Sequence, residues 1–450
     1  MTNTPITVDE TKEFLADNPT VRWIDVFTFD LNGIARGKRY RRDDLLSLAK
    51  SGLMMPASAF IIDPRGNSIG ETGRLWETGD PDVPAHILSG TLTPVPVNGA
   101  THAQAVMNLE TDGEMDARAI LANQVARMKR QGLTPVAAVE LEFYVTLPGP
   151  HGAFTLEPPA GLTTDPDAAG TYEFADLDAL APFIDDIYRI AAAQGLPVDA
   201  VIQESGPAQF EINLKHRDDA VRAALDGLLL KRAVKAAARE HKLNATFMAK
   251  PHHDWCGSGM HIHLSMLDKA GANAFAGKPI SPLFRHAIGG LCATMSDFMA
   301  IWAQYANSYR RYVPKSYVAA APHWGYNNRT VALRIPPGNG PATRIEHRVA
   351  GADANPYLVI AAILAGIAHG IEAKADPGPH AQGDAEEIDA PETLPTAWVN
   401  ALEVFERSAV AREAFGAGFH DVFTRLKQTE RVNFERIVTA LDHLWYAHVA

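Results

Sequence analysis

The chain has 450 residues, 46% of them hydrophobic and 21% charged, enough to bury a sizeable core without disulfide staples. Its formal net charge of −12 repels a phosphate backbone and argues against nucleic acid as a partner. Two cysteines, Cys256 and Cys292, encode neither a disulfide framework nor a zinc–thiolate site and fit a reducing cytoplasm.

In chain order, the N-terminal MTNTPITVDETKEF lacks a basic stretch followed by an apolar run, so no signal peptide is expected. Residues 21–40 read as a strand pair, with Val21, Trp23, Asp25, Phe27 and Phe29 on one face and Asp30-Leu31-Asn32-Gly33 as the turn. Residues 56–110, rich in Pro, Gly and Thr, predict a small sheet with long loops. Asp116 has the character of an N-cap for a helix reaching Arg130 and stopping at Gly132. A domain boundary is therefore expected between 112 and 113, giving units 1–112 and 113–450. From 136 onward strands and helices alternate. Asp218-Asp219 opens a long amphipathic helix, and Asn355-Pro356 opens an apolar one. The run Tyr357 to Ile371 is too short to span a bilayer and contains His369, so it predicts a buried helix and no membrane partner. Residues 373–396 read as a surface loop and the tail from Trp398 as helices.

Five segments alternate polar and apolar residues, the period of a strand with two unlike faces. Their polar faces carry Glu140 and Glu142; Gln209, Glu211 and Asn213; His261, His263 and Ser265; Arg334; and Arg344, Glu346 and Arg348. Each alone is also compatible with a half-buried strand wetted on one side. Together they contain no Lys, unlike an ordinary solvated face. If they converge on one cavity, the Glu and His faces suit divalent cations and the Arg faces suit phosphate or carboxylate. Metals beside arginines are what phosphoryl transfer requires. The chain has no GxxxxGK[ST] loop and no GxGxxG turn after a strand, so ATP would be held by neither a P-loop nor a Rossmann turn.

The stretches VELEFY (139–144), ESGPAQFEINL (204–214), ATFMAKP (245–251), GSGMHIHLSM (257–266), NSYRRYVP (307–314), NNRTVALRIP (327–336) and RIEHRVAGADANPYL (344–358) resemble, in this order, the glutamine synthetase family. DLNGIARGKR (30–39) and MMPASAFIID (54–63) resemble its γ-glutamylputrescine synthetase branch. The resemblance implies an α+β fold, with an N-terminal β-grasp domain and a catalytic domain on a curved antiparallel sheet. It also implies a dodecamer of two hexameric rings with active sites between subunits. By motif position, Glu142, Glu204 and Glu211 would bind a substrate-side Mg²⁺ or Mn²⁺, and Glu140, His261 and Glu346 a nucleotide-side one. His216, His263, Ser265, Arg334 and Arg344 would contact ATP. Arg329 and Arg334 would grip the transferred phosphate, and Gly257, Arg311 and Arg348 would bind glutamate. Two departures stand out. Pro56 falls where the family carries an ammonium-binding aspartate, and Tyr317 falls on its flap glutamate. Cys256 replaces an asparagine that often precedes GSG. The expectation is a cytoplasmic ligase joining the glutamate γ-carboxylate to a primary amine, putrescine first. Spermidine, a monoamine, ethanolamine or ammonium remain as alternatives. Pro56, Tyr317, Trp324 and Phe60 are the expected surroundings of the amine.

Overall fold

A computed structural model describes residues 3–97, 99, 101–162, 170–390 and 392–450. Met1 and Thr2 of the N-terminal segment, Asn98 and Ala100 of the loop-rich region, and Pro391 of the surface loop lie outside the described residues.

Two sheets organise the chain. The first contains β1 (Trp23–Phe29), β2 (Ala35–Arg41), β3 (Leu53–Pro56), β4 (Asp82–Ile87), β5 (Thr93–Val95) and β6 (His102–Leu109), in the order β2-β1-β6-β4-β3 with β5 on β6. β1 and β2 form the expected hairpin, and β1 runs parallel to β6. In the turn, the Asp30 carboxylate accepts from the amides of Asn32 (3.0 Å) and Ile34 (2.8 Å), and Gly33 supplies a φ of +72°. The expected single apolar face of β1 is not what forms. Trp23 is exposed, whereas Ile24 and Val26 on the opposite face are as buried as Phe27 and Phe29, because a central strand covered on both faces needs no wet side.

The second sheet contains β7 (Thr134–Thr146), β8 (Val198–Gln203), β9 (Gln209–Leu214), β10 (Asn244–Thr246), β11 (Met260–Leu267), β12 (Trp324–Tyr326), β13 (Leu333–Ile335) and β14 (Ile345–His347). Its order is β12-β13-β14-β11-β7-β9-β8, with β10 on β7. Pairing is antiparallel apart from β12 on β13, so the sheet is mixed at that edge. The fold class is the expected α+β arrangement of a β-grasp sheet and a catalytic sheet.

Helices cover the back of the second sheet. Asp116 and Asp219 cap the helices Ala117–Arg130 and Ala220–Glu240, each carboxylate accepting a first-turn amide. The helix Pro356–Ala373 is apolar on all sides and lies in the core. It crosses the helix Pro282–Thr294 through glycines: a Cβ on Gly290 would stand 2.2 Å from the Gly366 carbonyl oxygen. Its N-cap, Asn355, accepts from Tyr357 N at 3.0 Å and donates to the carbonyls of Asp30 and Leu31 at 3.2 and 3.3 Å. That one side chain ties the first hairpin to the catalytic core. Buried Lys427 and Glu430, on the helix Ala417–Glu435, hold the same hairpin through Asn32.

Candidate active site

In the second sheet β13, β14, β11, β7 and β9 are consecutive neighbours, so the five polar faces read from the sequence become one surface. The register sets the details. Glu142 lies opposite Glu211, Glu140 opposite both Asn213 and His261, and Glu346 opposite both His263 and Arg334. The alternate residues Val139, Leu141, Phe143, Ile212, Ile262 and Ile345 are buried in the core behind. The surface floors a cavity of about 670 Å³.

Like charges directly opposite on neighbouring strands repel, and Glu142, Glu204 and Glu211 all line this cavity. Burial, then the Glu142 charge, pushes Glu204 up to about 7. Burial, followed by Glu140, Glu142 and Glu204, pushes Glu211 well up. Glu142 is anchored through its Oε2, which accepts from Gly259 N at 2.7 Å. On the other side the charges are matched. Burial alone would raise Glu140, but His261 and His263 hold it well below the usual carboxylate range. The His263 Nε2 lies 2.7 Å from Glu140 Oε1, and Asn213 donates to the same oxygen at 3.0 Å. Glu346 is buried too, yet His261, Arg348 and His263 bring it to about 2. Arg334 donates to it at 2.7 Å, and Arg348 donates to its other oxygen.

Glu140, Glu211 and His261 offer atoms within 4.8 Å of one another, and so do Glu140, His263 and Glu346. Hard oxygen donors with imidazole are the donor chemistry of Mg²⁺ and Mn²⁺. The repulsion among Glu142, Glu204 and Glu211 is what a divalent cation would offset, so the residues fit such ions.

The glycines of the 257–259 turn are required by close approach. A Cβ on Gly257 would lie 2.7 Å from Arg311 Cγ and 3.0 Å from the Ala249 carbonyl oxygen. One on Gly259 would lie 3.1 Å from both Arg311 Nη2 and His261 Nε2. Arg311 itself is fixed by donating to the Val349 carbonyl at 3.1 Å.

Of the residues anticipated from sequence, Glu140, Glu142, Glu204, Glu211, His261, Glu346, Gly257, Arg311, Arg329, Arg334, Arg348 and Tyr317 line the cavity, as does Cys256. His263 and Arg344 stand one step back, Arg344 Nε donating to His263 Nδ1 at 3.1 Å. Ser265 lies farther along β11 opposite Val136, and exposed His216 follows β9; neither lines the cavity. Three expected neighbours of the amine are not at the cavity of this chain. Trp324 is 3% exposed and packs its indole on Tyr326 and His380, and Phe60 is in the core. Pro56 ends β3 in the first sheet. Tyr172, not anticipated, lines the cavity and accepts from Arg329 at 2.7 Å. Gln209 donates to the Gly257 carbonyl at 3.0 Å, tying β9 to the glycine turn.

Residues 114–446 match the glutamine synthetase catalytic domain. The chain belongs to the glutamine synthetase family. It is 39% identical to the γ-glutamylputrescine synthetase of Escherichia coli over 97% of this chain and 94% of that one. To the glutamate–isopropylamine ligase of a Pseudomonas species it is 30% identical, over 89% of each chain. The ligand-free structure of GmaS superposes with a TM-score of 0.83 at 26% identity, covering 97% of this chain and 98% of that one. The catalytic sheet of a glutamine synthetase family member is thus the frame on which these carboxylates, imidazoles and arginines are held.

Proposed function

We propose that this protein ligates the γ-carboxylate of glutamate to a primary amine at the expense of ATP, with putrescine the favoured acceptor. The observation that carries the reading is the cavity itself, where a Glu/His set suited to divalent cations adjoins four arginines and Tyr317; by resemblance, Tyr317 and, away from this chain's cavity, Pro56 stand where the family carries ammonium-binding acids. The likeness to relatives named for organic amines supports it.

A carboxylate is a poor electrophile at neutral pH, so the γ-carboxylate oxygen first attacks the γ-phosphorus of ATP and ADP leaves. The amine nitrogen then attacks the acyl carbon of the γ-glutamyl phosphate. Phosphate departs with the C–O electron pair, and the nitrogen loses a proton. Bound Mg²⁺ or Mn²⁺ would neutralise phosphate charge. Glu142, Glu204 and Glu211 would hold the substrate-side ion, and Glu140, His261 and Glu346 the nucleotide-side one. Arg311, Arg348 and Gly257 orient glutamate. Arg329, steadied by the Tyr172 hydroxyl, and Arg334 face the transferring phosphate. Arg344 and His263 lie on the nucleotide side.

An alkylammonium has a pKa of about 10, like Lys, and must be held as well as deprotonated. Tyr317 is 65% exposed at the cavity rim, with a left-handed φ of +58°. Its ring offers a cation–π contact worth about 0.5–1 kcal/mol. In a ring assembly Pro56 would come from a neighbouring subunit. We accordingly extend the proposal to a boundary at 112/113, a dodecamer of two hexameric rings, and a cytoplasmic location. The test is product mass: with glutamate, putrescine and Mg-ATP the purified enzyme should form γ-glutamylputrescine and ADP in equal amounts. ATP turnover without amide product would overturn the reading.

A further inference from the structure

Between the first sheet and the helix Ala220–Glu240 lies a second cavity, of about 320 Å³, sharing no lining residue with the active site. Arg232, Lys235 and Arg239 follow one another at three- and four-residue steps, so they share one helix face. Arg39 and His102 enter from the sheet. The one carboxylate in the lining, Asp25, is already engaged, accepting from Arg39 at 2.6 and 3.0 Å. Arg232 is held in place: its guanidinium lies 4.3 Å over the Phe27 ring, and its Nε donates to Gln104 at 3.3 Å. Gln104 in turn donates to Gln194 at 2.9 Å, and both glutamines are buried. Among the described residues, Lys235 and Arg239 have no hydrogen bond or ion pair. Lys235 Nζ stands 5.8 Å from the Phe247 ring centroid. Lys235 and Arg239 are solvent-exposed, and Arg232 is half-buried. On a chain of net charge −12, this cleft gathers four Arg and Lys side chains, of which, among the described residues, only Arg39 has an ion-pair partner.

We propose that this cleft binds a small multivalent oxyanion, a phosphate ester or a dicarboxylate in size and charge. The Arg forks match such oxygens in two-point contacts, and Lys235 adds a point charge. The helix carrying them lies directly on the strand of Glu140 and Glu142, with Gly227 against Val139. The bound anion is therefore one helix away from the active site.

Sulfate is the first probe, read by thermal unfolding and titration calorimetry on the full chain. Sulfate should raise the unfolding temperature above that in sodium chloride of matched ionic strength. Lys235→Ala/Arg239→Ala, and equally Lys235→Gln/Arg239→Gln, should weaken sulfate about tenfold and leave sulfate-free turnover unchanged. Arg329→Ala, in the active-site cavity, should keep the sulfate response. Glycerol phosphate and succinate, competed against sulfate, distinguish a phosphate from a dicarboxylate ligand. The proposal is overturned if the double variants respond to sulfate like wild type, if neither organic anion competes, or if Arg329→Ala alone abolishes the response. It is equally overturned if the double variants change the mass of the particle, which would mean that a neighbouring copy fills the cleft.

Discussion

Glu142 and Glu211 face each other across adjacent strands with Glu204 beside them, and this repulsion is the chemistry of the site at the scale of single residues. Glu204 and Glu211 both bind a proton more tightly when folded than their ordinary 4.5 allows, Glu204 up to about 7. Between those pH values the unfolded chain carries fewer protons, so metal-free stability should fall as pH rises through that window. A divalent cation held by these carboxylates would take the place of these protons. Mg²⁺ binding at pH 6.5 should therefore release protons, seen as a calorimetric enthalpy that depends on the buffer. An enthalpy independent of buffer would contradict the coupling. Glu142→Ala removes one of the three carboxylates and should cut ADP release with glutamate and amine about 100-fold or more; near wild-type turnover would sink the metal assignment. Glu142 was legible from alternation. Glu204 was not, because it lies past the end of β8 where no period marks it, and its motif was the signal. Tyr172 gave no signal at all, since its contact with Arg329 joins positions 157 apart in sequence.

At the scale of elements, alternation could say which side chains share a face but not which strands are neighbours. The pairing of β7 with both β9 and β11 turns separate polar faces into one floor. Caps were legible because they are local: Asp116, Asp219 and Asn355 each sit just before the helix they cap. The second task of Asn355, holding the carbonyls of Asp30 and Leu31, is long-range and was not. Asn355→Ala should cost about 2 kcal/mol, a cap plus buried hydrogen bonds, read as a lower urea midpoint; an unchanged midpoint would contradict the clamp. Gly257→Ala drives a methyl group into Arg311 and should raise KM for glutamate more than it lowers kcat. A variant with unchanged KM would separate Gly257 from the glutamate site. Trp324 misled for a related reason. The short β12 pairs parallel to β13, and its indole turns to the core, which three residues of sequence do not specify.

At the scale of the whole molecule, two sheets of different topology are joined by the clamp at Asn355 and the buried contacts of Lys427 and Glu430 with Asn32. The family was readable because its motifs carry side chains that the cavity needs together; the amine acceptor was readable from the N-terminal motifs and from the absences at Pro56 and Tyr317, and the relatives named for organic amines agree with it. Pro56 lies away from the cavity of its own chain, so the proposed amine site depends on assembly. Light scattering should give the mass of a dodecamer, and a monomer with full activity would contradict a shared site. The central claim, that the acceptor is an organic amine, is tested most directly by phosphate release with glutamate and Mg-ATP across a panel of putrescine, spermidine, ethanolamine, monoamines and ammonium. Putrescine should stimulate release most and ammonium little; release stimulated by ammonium alone would contradict an organic-amine acceptor.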